Sequence, residues 1–349
     1  MNRRHFSSGI ASVVAAAASS PTVVPATETA RPLRPRALEP GDTVGILTPG
    51  TGVFDPDRLA GAAQILRQLG LEVRWAKNVG VRPRTKLESI QQRVDDFHQL
   101  FADPRVRGIF CLRGGSGCME LLSQIDFNLV KRNPKAFIGF SDVTALHLAI
   151  GRRCDLVTFH GPVLASTFTP FNVSSLQKCL FSRQPVGVIS NPTEADPLTP
   201  AHQLRTIRAG RATGALTGGN LSLIVALLGT PYEIVTRDRI LFIEDTDEAP
   251  YRIGRMLTQL LLAGKLHEVR GVVVGECAKC FAQTCGPPSD VSEFTLGEEV
   301  DAVLGQLSVP VLSGLTLGHT RDQITLPLGV PVTLDVDAGT LAVLEAGVV

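Results

Sequence analysis

Short apolar runs that alternate with stretches of helical periodicity constrain this chain more than any other feature. Residues 43–47, 71–76, 108–112, 136–138 and 157–160 each read as a buried strand. Residues 55–69, 86–101, a stretch ending at Leu122 and residues 143–150 carry helical spacing between them. Strands separated by helices cannot be joined as hairpins. They need crossovers, and so predict a parallel sheet covered on both faces. Ligands of such sheets bind at the carboxyl ends of the strands. Two such ends stand out here. Arg113-Gly114-Gly115 follows the third run, and Ser141 follows the fourth.

The rhythm breaks over residues 165–210. Pro170, Pro185, Pro192, Pro197 and Pro200 punctuate a stretch with little periodicity, which places a domain boundary there. Beyond it, residues 220–228 read as a short helix and 240–243 as a strand ending in Glu244. Residues 250–263 form the clearest helix, with Pro250 in its first turn and Gly264 at its end. Ile253, Met256, Leu257, Leu260 and Leu261 make its apolar face. A strand at 271–275, a helix at 296–307 and short strands from Val311 complete the chain. The expected fold is α/β, with an amino-terminal parallel-sheet domain at 38–168 and a connection at 169–205. A second, carboxy-terminal α/β domain follows at 206–349.

Residues 1–37 read as an export signal and linker. Arg3-Arg4 precedes a mild apolar run at 9–18, and Val24-Pro25-Ala26 is a plausible cleavage site. This is the pattern of a twin-arginine signal and predicts a periplasmic or exported protein, or a cytoplasmic one if the leader does not function. No later stretch has 18 uninterrupted apolar residues, so no membrane insertion is expected after export. With 34 basic against 33 acidic residues and few aromatics, nothing points to nucleic acid. Of seven cysteines, Cys111, Cys118, Cys154 and Cys179 lie in or beside apolar runs and read as buried thiols. Cys277, Cys280 and Cys285 cluster without an evident fourth ligand. A disulfide within the cluster is favoured over zinc, and no metal or cofactor is expected.

Ser141 sits where a strand turns sharply into a helix. A serine there is commonly just an N-cap, and the full G-x-S-x-G elbow is absent because position 143 is Val. As a nucleophile it needs a base, and the base an acceptor. Glu244 ends a very apolar strand and should be partly buried, which calls for a partner such as histidine. The acids that follow it, Asp245, Asp247 and Glu248, offer a cation site or complement the next helix dipole. His319, in Gly318-His319-Thr320, is the candidate base. His160 competes with it, and His147 reads as packing. The N–H groups of Asp142 and of the Gly114-Gly115 turn are candidate oxyanion donors.

Taken together, these blocks resemble the LD-carboxypeptidase family of serine peptidases, whose best-known members are muramoyltetrapeptide carboxypeptidases. The carriers of the resemblance run from Pro40-Gly41-Asp42 and Arg113-Gly114-Gly115 through Gly139-Phe140-Ser141-Asp142 and Phe159-His160-Gly161-Pro162 to Gly218-Gly219-Asn220, Glu244-Asp245, Gly318-His319 and Leu326-Pro327-Leu328-Gly329. The resemblance implies Ser141 as nucleophile, His319 as base, Glu244 as its partner, and Gly115 and Asp142 as oxyanion donors. Arg113 and Gly114 are the expected substrate-binding residues. It also implies that the carboxy-terminal domain is the smaller, that the active site lies at the interface of the two domains, a homodimer, a murein tetrapeptide substrate and release of its terminal D-alanine. Ser116 replaces the family's common Tyr, and Gly254 its frequent Asp. The alternatives are a microcin C self-immunity type of peptidase in the same family and, from another class, a periplasmic solute-binding protein. The latter needs no convergent Ser, His and Glu.

Overall fold

The computed structural model describes residues 31–193, 202–280 and 294–349. Residues 1–30, expected to carry the export signal, and Cys285 lie outside them. Strands and helices alternate as β1 (Thr43–Leu47), α1 (Pro56–Gln68), β2 (Glu72–Trp75), α2 (Lys86–Ala102), β3 (Val106–Cys111), α3 (Phe127–Arg132), β4 (Ala136–Gly139), α4 (Thr144–Cys154) and β5 (Thr158–His160). Local chemistry sets the helix starts. Asp55 caps α1 by accepting from Asp57 N–H at 2.9 Å, and the Thr85 hydroxyl caps α2 through Glu88 N–H at 3.1 Å. The helical stretch expected up to Leu122 is a 3₁₀ helix, Cys118–Gln124.

The elements that follow are α5 (Pro170–Leu180), β6 (Gly187–Ile189), β7 (Arg205–Arg208), β8 (Arg211–Asn220), α6 (Leu221–Ala226), β9 (Arg239–Glu244), α7 (Pro250–Leu262), β10 (Gly271–Gly275), α8 (Leu296–Leu304), β11 (Val311–Leu315), β12 (Leu326–Leu328), β13 (Pro331–Asp335) and β14 (Thr340–Val343). The stretch with little periodicity thus contains a helix. Pro170 begins it rather than breaking it, because Thr169 caps the first turn through Asn172 N–H. Residues 32–37, expected to be linker, pair with the body. Leu33 N–H donates to Asp155 O and Val157 N–H to Leu33 O, both at 2.8 Å, and Ala37 N–H donates to Val349 O at 2.9 Å. Prolines 32 and 35 remove donors there, but the N–H groups of Leu33 and Ala37 find acceptors.

The first sheet has the order β12-β5-β4-β3-β1-β2, parallel except for β12 at its edge. The second has the order β6-β14-β13-β8-β9-β10-β11-β7, with β8 to β11 parallel at its centre. Alternate residues along β3 and on to Leu112, just after it, enter different cores. Ile109 and Cys111 join α2 and α4 in one, while Phe110 and Leu112 join α1 and α5 in another. Burial on both faces is why these strands read as continuous apolar runs. The first of these cores continues without a break into Leu221, Ile243, Leu257 and Val272, so one apolar layer serves both sheets. A third core covers the far face of the second sheet and includes Leu326 and Leu328 of β12.

Glycines make the junction close. A Cβ on Gly219 would lie 2.6 Å from the Thr144 side chain, and one on Gly218 would lie 1.9 Å from Phe242 O. The Thr144 hydroxyl accepts from Asn220 N–H at 3.0 Å. The start of α4, immediately after Ser141, is therefore fastened to the end of β8. Gly254, where the family often has Asp, is also closely packed: a Cβ there would meet Glu299 Oε2 at 1.9 Å. An acid at this position would set two carboxylates against each other unless the Glu299 side chain moved away.

Candidate active site

The chain leaves β4 at Gly139 and turns through a 3₁₀ helix, Ser141–Val143, into α4. Ser141 has φ 64°, in the left-handed region that side chains rarely adopt. Such strain persists only when neighbours over-determine it. Here Gly139 O accepts from Gly161 N–H at 3.1 Å and from His147 Nε2 at 2.8 Å. Val143, where the elbow motif has glycine, packs down onto Gly139; a Cβ on Gly139 would lie 2.9 Å from its side chain. From the next strand end, Gly114 abuts the turn so tightly that a Cβ there would lie 3.0 Å from Ser141 Cβ.

Across this turn lies the loop between β11 and β12. His319 Nε2 is 3.0 Å from Ser141 Oγ, and His319 Nδ1 is 2.7 Å from Glu244 Oε2. The carboxylate only accepts, so Nδ1 carries the proton and Nε2 is free to accept from the serine hydroxyl. Glu244 is 2% exposed, at the end of β9. Gly318 lets the backbone pass it, since a Cβ there would lie 2.2 Å from Glu244 Oε2. The Phe140 ring stands 4.7 Å from the His319 ring. Burial raises the Glu244 pKa, with the His319 hydrogen bond opposing. Burial opposes the charged imidazole, but the hydrogen bond and charge of Glu244, aided by Asp245 and Asp247, hold His319 above its ordinary value.

Asp245 is occupied elsewhere. It accepts from Asn220 Nδ2 at 3.0 Å, Ser222 N–H at 2.9 Å and Ser222 Oγ at 2.8 Å, so it fastens β8 to β9 beside Glu244. Glu248, just ahead of α7, pairs with Arg252 in the helix's first turn. Among the described residues no three His, Cys, Asp or Glu side chains converge as metal ligands. Within the cysteine cluster Cys277 and Cys280 form a disulfide.

The loop after β3 faces the elbow. Gly115 has φ 87°, and a Cβ there would strike Thr51 Oγ1 at 2.3 Å. Thr51 holds this loop at two points: its N–H donates to Gly114 O at 2.9 Å, and its hydroxyl accepts from Ser116 N–H at 3.1 Å. The buried Asp142 carboxylate accepts from Cys118 N–H at 2.8 Å. The two expected donors thus sit on segments locked to each other. Arg113 is exposed and has no hydrogen bond or ion pair within the described residues. Thr51 and Thr144 were not singled out by sequence, and Asn220 entered only within the Gly218-Gly219-Asn220 block. The signal for Thr51 was its place between Gly50 and Gly52; Thr144 had none of this kind.

A buried acid, an imidazole and a hydroxyl in one hydrogen-bonded line form a device for activating serine. The solute-binding alternative has no use for it. The family models for the LD-carboxypeptidase N-terminal domain and C-terminal domain match residues 44–161 and 213–334. The chain belongs to the LD-carboxypeptidase family. It is 36% identical over 315 residues to a probable murein peptide carboxypeptidase of Bacillus subtilis, covering 90% of this chain and 95% of that one. Among solved structures it is similar to the microcin C7 self-immunity protein MccF, with TM-score 0.80 and 26% identity over 91% of this chain and all of that one. It is also similar to a muramoyltetrapeptide carboxypeptidase from Oxalobacter formigenes, with TM-score 0.73 and 27% identity over 87% of this chain and 99% of that one.

Proposed function

We propose that this LD-carboxypeptidase family member is a serine carboxypeptidase that releases the terminal D-alanine from a murein tetrapeptide by cleaving an LD peptide bond. The observation that carries the chemistry is the continuous line Ser141–His319–Glu244 at a strained strand-to-helix turn. Ser141 Oγ attacks the scissile carbonyl while His319 Nε2 takes its proton. The N–H groups of Gly115 and Asp142 receive the oxyanion. His319 then returns the proton to the leaving D-alanine amine, and water repeats the sequence on the acyl-enzyme. Glu244 keeps the tautomer and stabilises the imidazolium while it exists. Arg113, exposed at the mouth of the oxyanion loop, offers a guanidinium to a substrate carboxylate.

A microcin C type of reaction, cleavage of an aminoacyl-nucleotide bond, is the second reading, favoured by the likeness to MccF. Purified protein incubated with murein tetrapeptide, pentapeptide and an aminoacyl-nucleotide analogue, followed by mass spectrometry, separates the two. Release of D-alanine from tetrapeptide by the natural protein and not by Ser141→Ala is the expected result. Cleavage of the nucleotide analogue alone would replace the substrate assignment, and full activity of Ser141→Ala would remove the serine mechanism.

A further inference from the structure

Sequence leaves His160 as a rival to His319, yet it reaches neither Ser141 nor Glu244. It lies on β5, wholly buried, and its Nε2 stands 2.7 Å from Leu317 O. A carbonyl only accepts, so Nε2 carries the proton and donates it. Nδ1 is then a bare acceptor, buried with no hydrogen-bond partner within the described residues. Leaving such a group unmet costs the full desolvation penalty of that acceptor. The ring stands edge-on to Phe140 at 6.0 Å and to Phe242 at 4.9 Å, an aromatic box that a phenylalanine would fill without that cost. A histidine here needs a compensating task, and the Leu317 contact supplies it.

We infer that His160 is a positioning residue that sets the height of the His319 loop against the nucleophile. The backbone of His160 pairs with Gly139, two residues before Ser141. It also pairs with Leu326, where the His319 loop comes back to the first sheet. Its side chain grips Leu317, two residues before His319, where the loop departs. One residue thus holds both ends of the base loop and the strand that delivers the serine. Helix α5 steadies the middle of the loop, with Asn172 Oδ1 accepting from Gln323 N–H at 2.9 Å and Ser175 Oγ from Thr325 N–H at 2.8 Å. The loop segment between Leu317 and His319 relies on His160.

This inference rests on the triad reading, and the test separates the two. His160→Phe keeps the ring and removes the donor. His160→Gln places an amide N–H near the former Nε2. Each full-length variant is compared with the natural protein in three measurements: the rate at which a fluorophosphonate labels Ser141, tetrapeptide kinetics, and the acid limb of kcat/KM. His160→Phe should lose tenfold or more in both labelling rate and kcat, with KM within twofold. Its acid limb should move to lower pH as His319 loses contact with Glu244 and the neighbouring Asp245 and Asp247. His160→Gln should recover most of each. A folded His160→Phe with natural labelling and an unmoved acid limb overturns the inference. So does a loss in both variants that merely tracks the folded fraction. If His160→Phe does not fold, His160→Gln decides: labelling within threefold of natural supports the inference, and a tenfold loss overturns it. Failure of the natural protein to label at Ser141 would overturn the triad reading, and this inference with it.

Discussion

Two buried histidines make the fold sensitive to mild acid, and the size of the effect follows from their burial. His147 and His160 are held neutral, desolvation lowering their pKa from 6.5 to about 4 and about 3. The unfolded chain takes up a proton on each near pH 6.5, whereas the folded chain does not until far lower. Between those values the unfolded state binds more protons, so stability rises with pH and is lost as pH falls. At about 1.4 kcal/mol per pH unit, each histidine removes about 2 kcal/mol between neutral pH and roughly pH 5. His147→Gln retains an N–H for Gly139 O but cannot titrate. Urea unfolding of the natural protein and of this variant, at pH 7 and at pH 5, isolates the term, because every other titrating group cancels in the difference. The variant should lose about 2 kcal/mol less than the natural protein on acidification. Equal losses in the two proteins would show that His147 is not kept neutral by the fold, and the reasoning would fail.

Glu244→Gln should lower kcat by about 10⁴-fold with little change in KM, since it disturbs tautomer and charge rather than the pocket; steady-state kinetics on the tetrapeptide decides, and a selective rise in KM would recast Glu244 as a substrate ligand. The acid limb of kcat/KM should report a pKa above the ordinary imidazole value of about 6.5, because Glu244 favours charged His319 and only the neutral form accepts the serine proton. Gly219→Ala adds a methyl 2.6 Å from Thr144 at a φ of 138°, and should cost about 1–3 kcal/mol in denaturant unfolding. EDTA should leave activity unchanged; loss on chelation with recovery on adding zinc would contradict the triad chemistry. Lysine at both Arg3 and Arg4 should trap the precursor in the cytoplasm, which cell fractionation reads directly.

Much of this site could be read from residues alone because its carriers sit at strand ends. Runs such as 136–138 and 240–243 are apolar on both faces, and the first polar residues after them, Ser141 and Glu244, mark where the strands stop. His319 has no strand before it at such close range, and Gly318 was its signal. What escaped has a common cause: glycine and proline read as breaks. β8 was missed because Gly214, Gly218 and Gly219 dilute its apolar character, yet they are there so that β9 and Thr144 can approach. Helix α5 was hidden by a proline that starts it. Thr51 acts through its hydroxyl on a loop 65 residues away, a relation that no local pattern encodes.

The first sheet borrows its last strand from far along the chain. β5 ends at His160, and its outer partner begins only at Leu326. During synthesis at about 5–20 residues per second, β5 is therefore left as a bare edge for roughly 10–30 s. In that interval the nascent chain has a hydrogen-bonding template with nothing to pair with, and it has no base, since His319 has not yet been made. The half-made molecule is thus exposed to edge-to-edge association and incapable of hydrolysis. A nonsense mutation between His160 and His319 would leave an aggregating fragment rather than a weakly active enzyme.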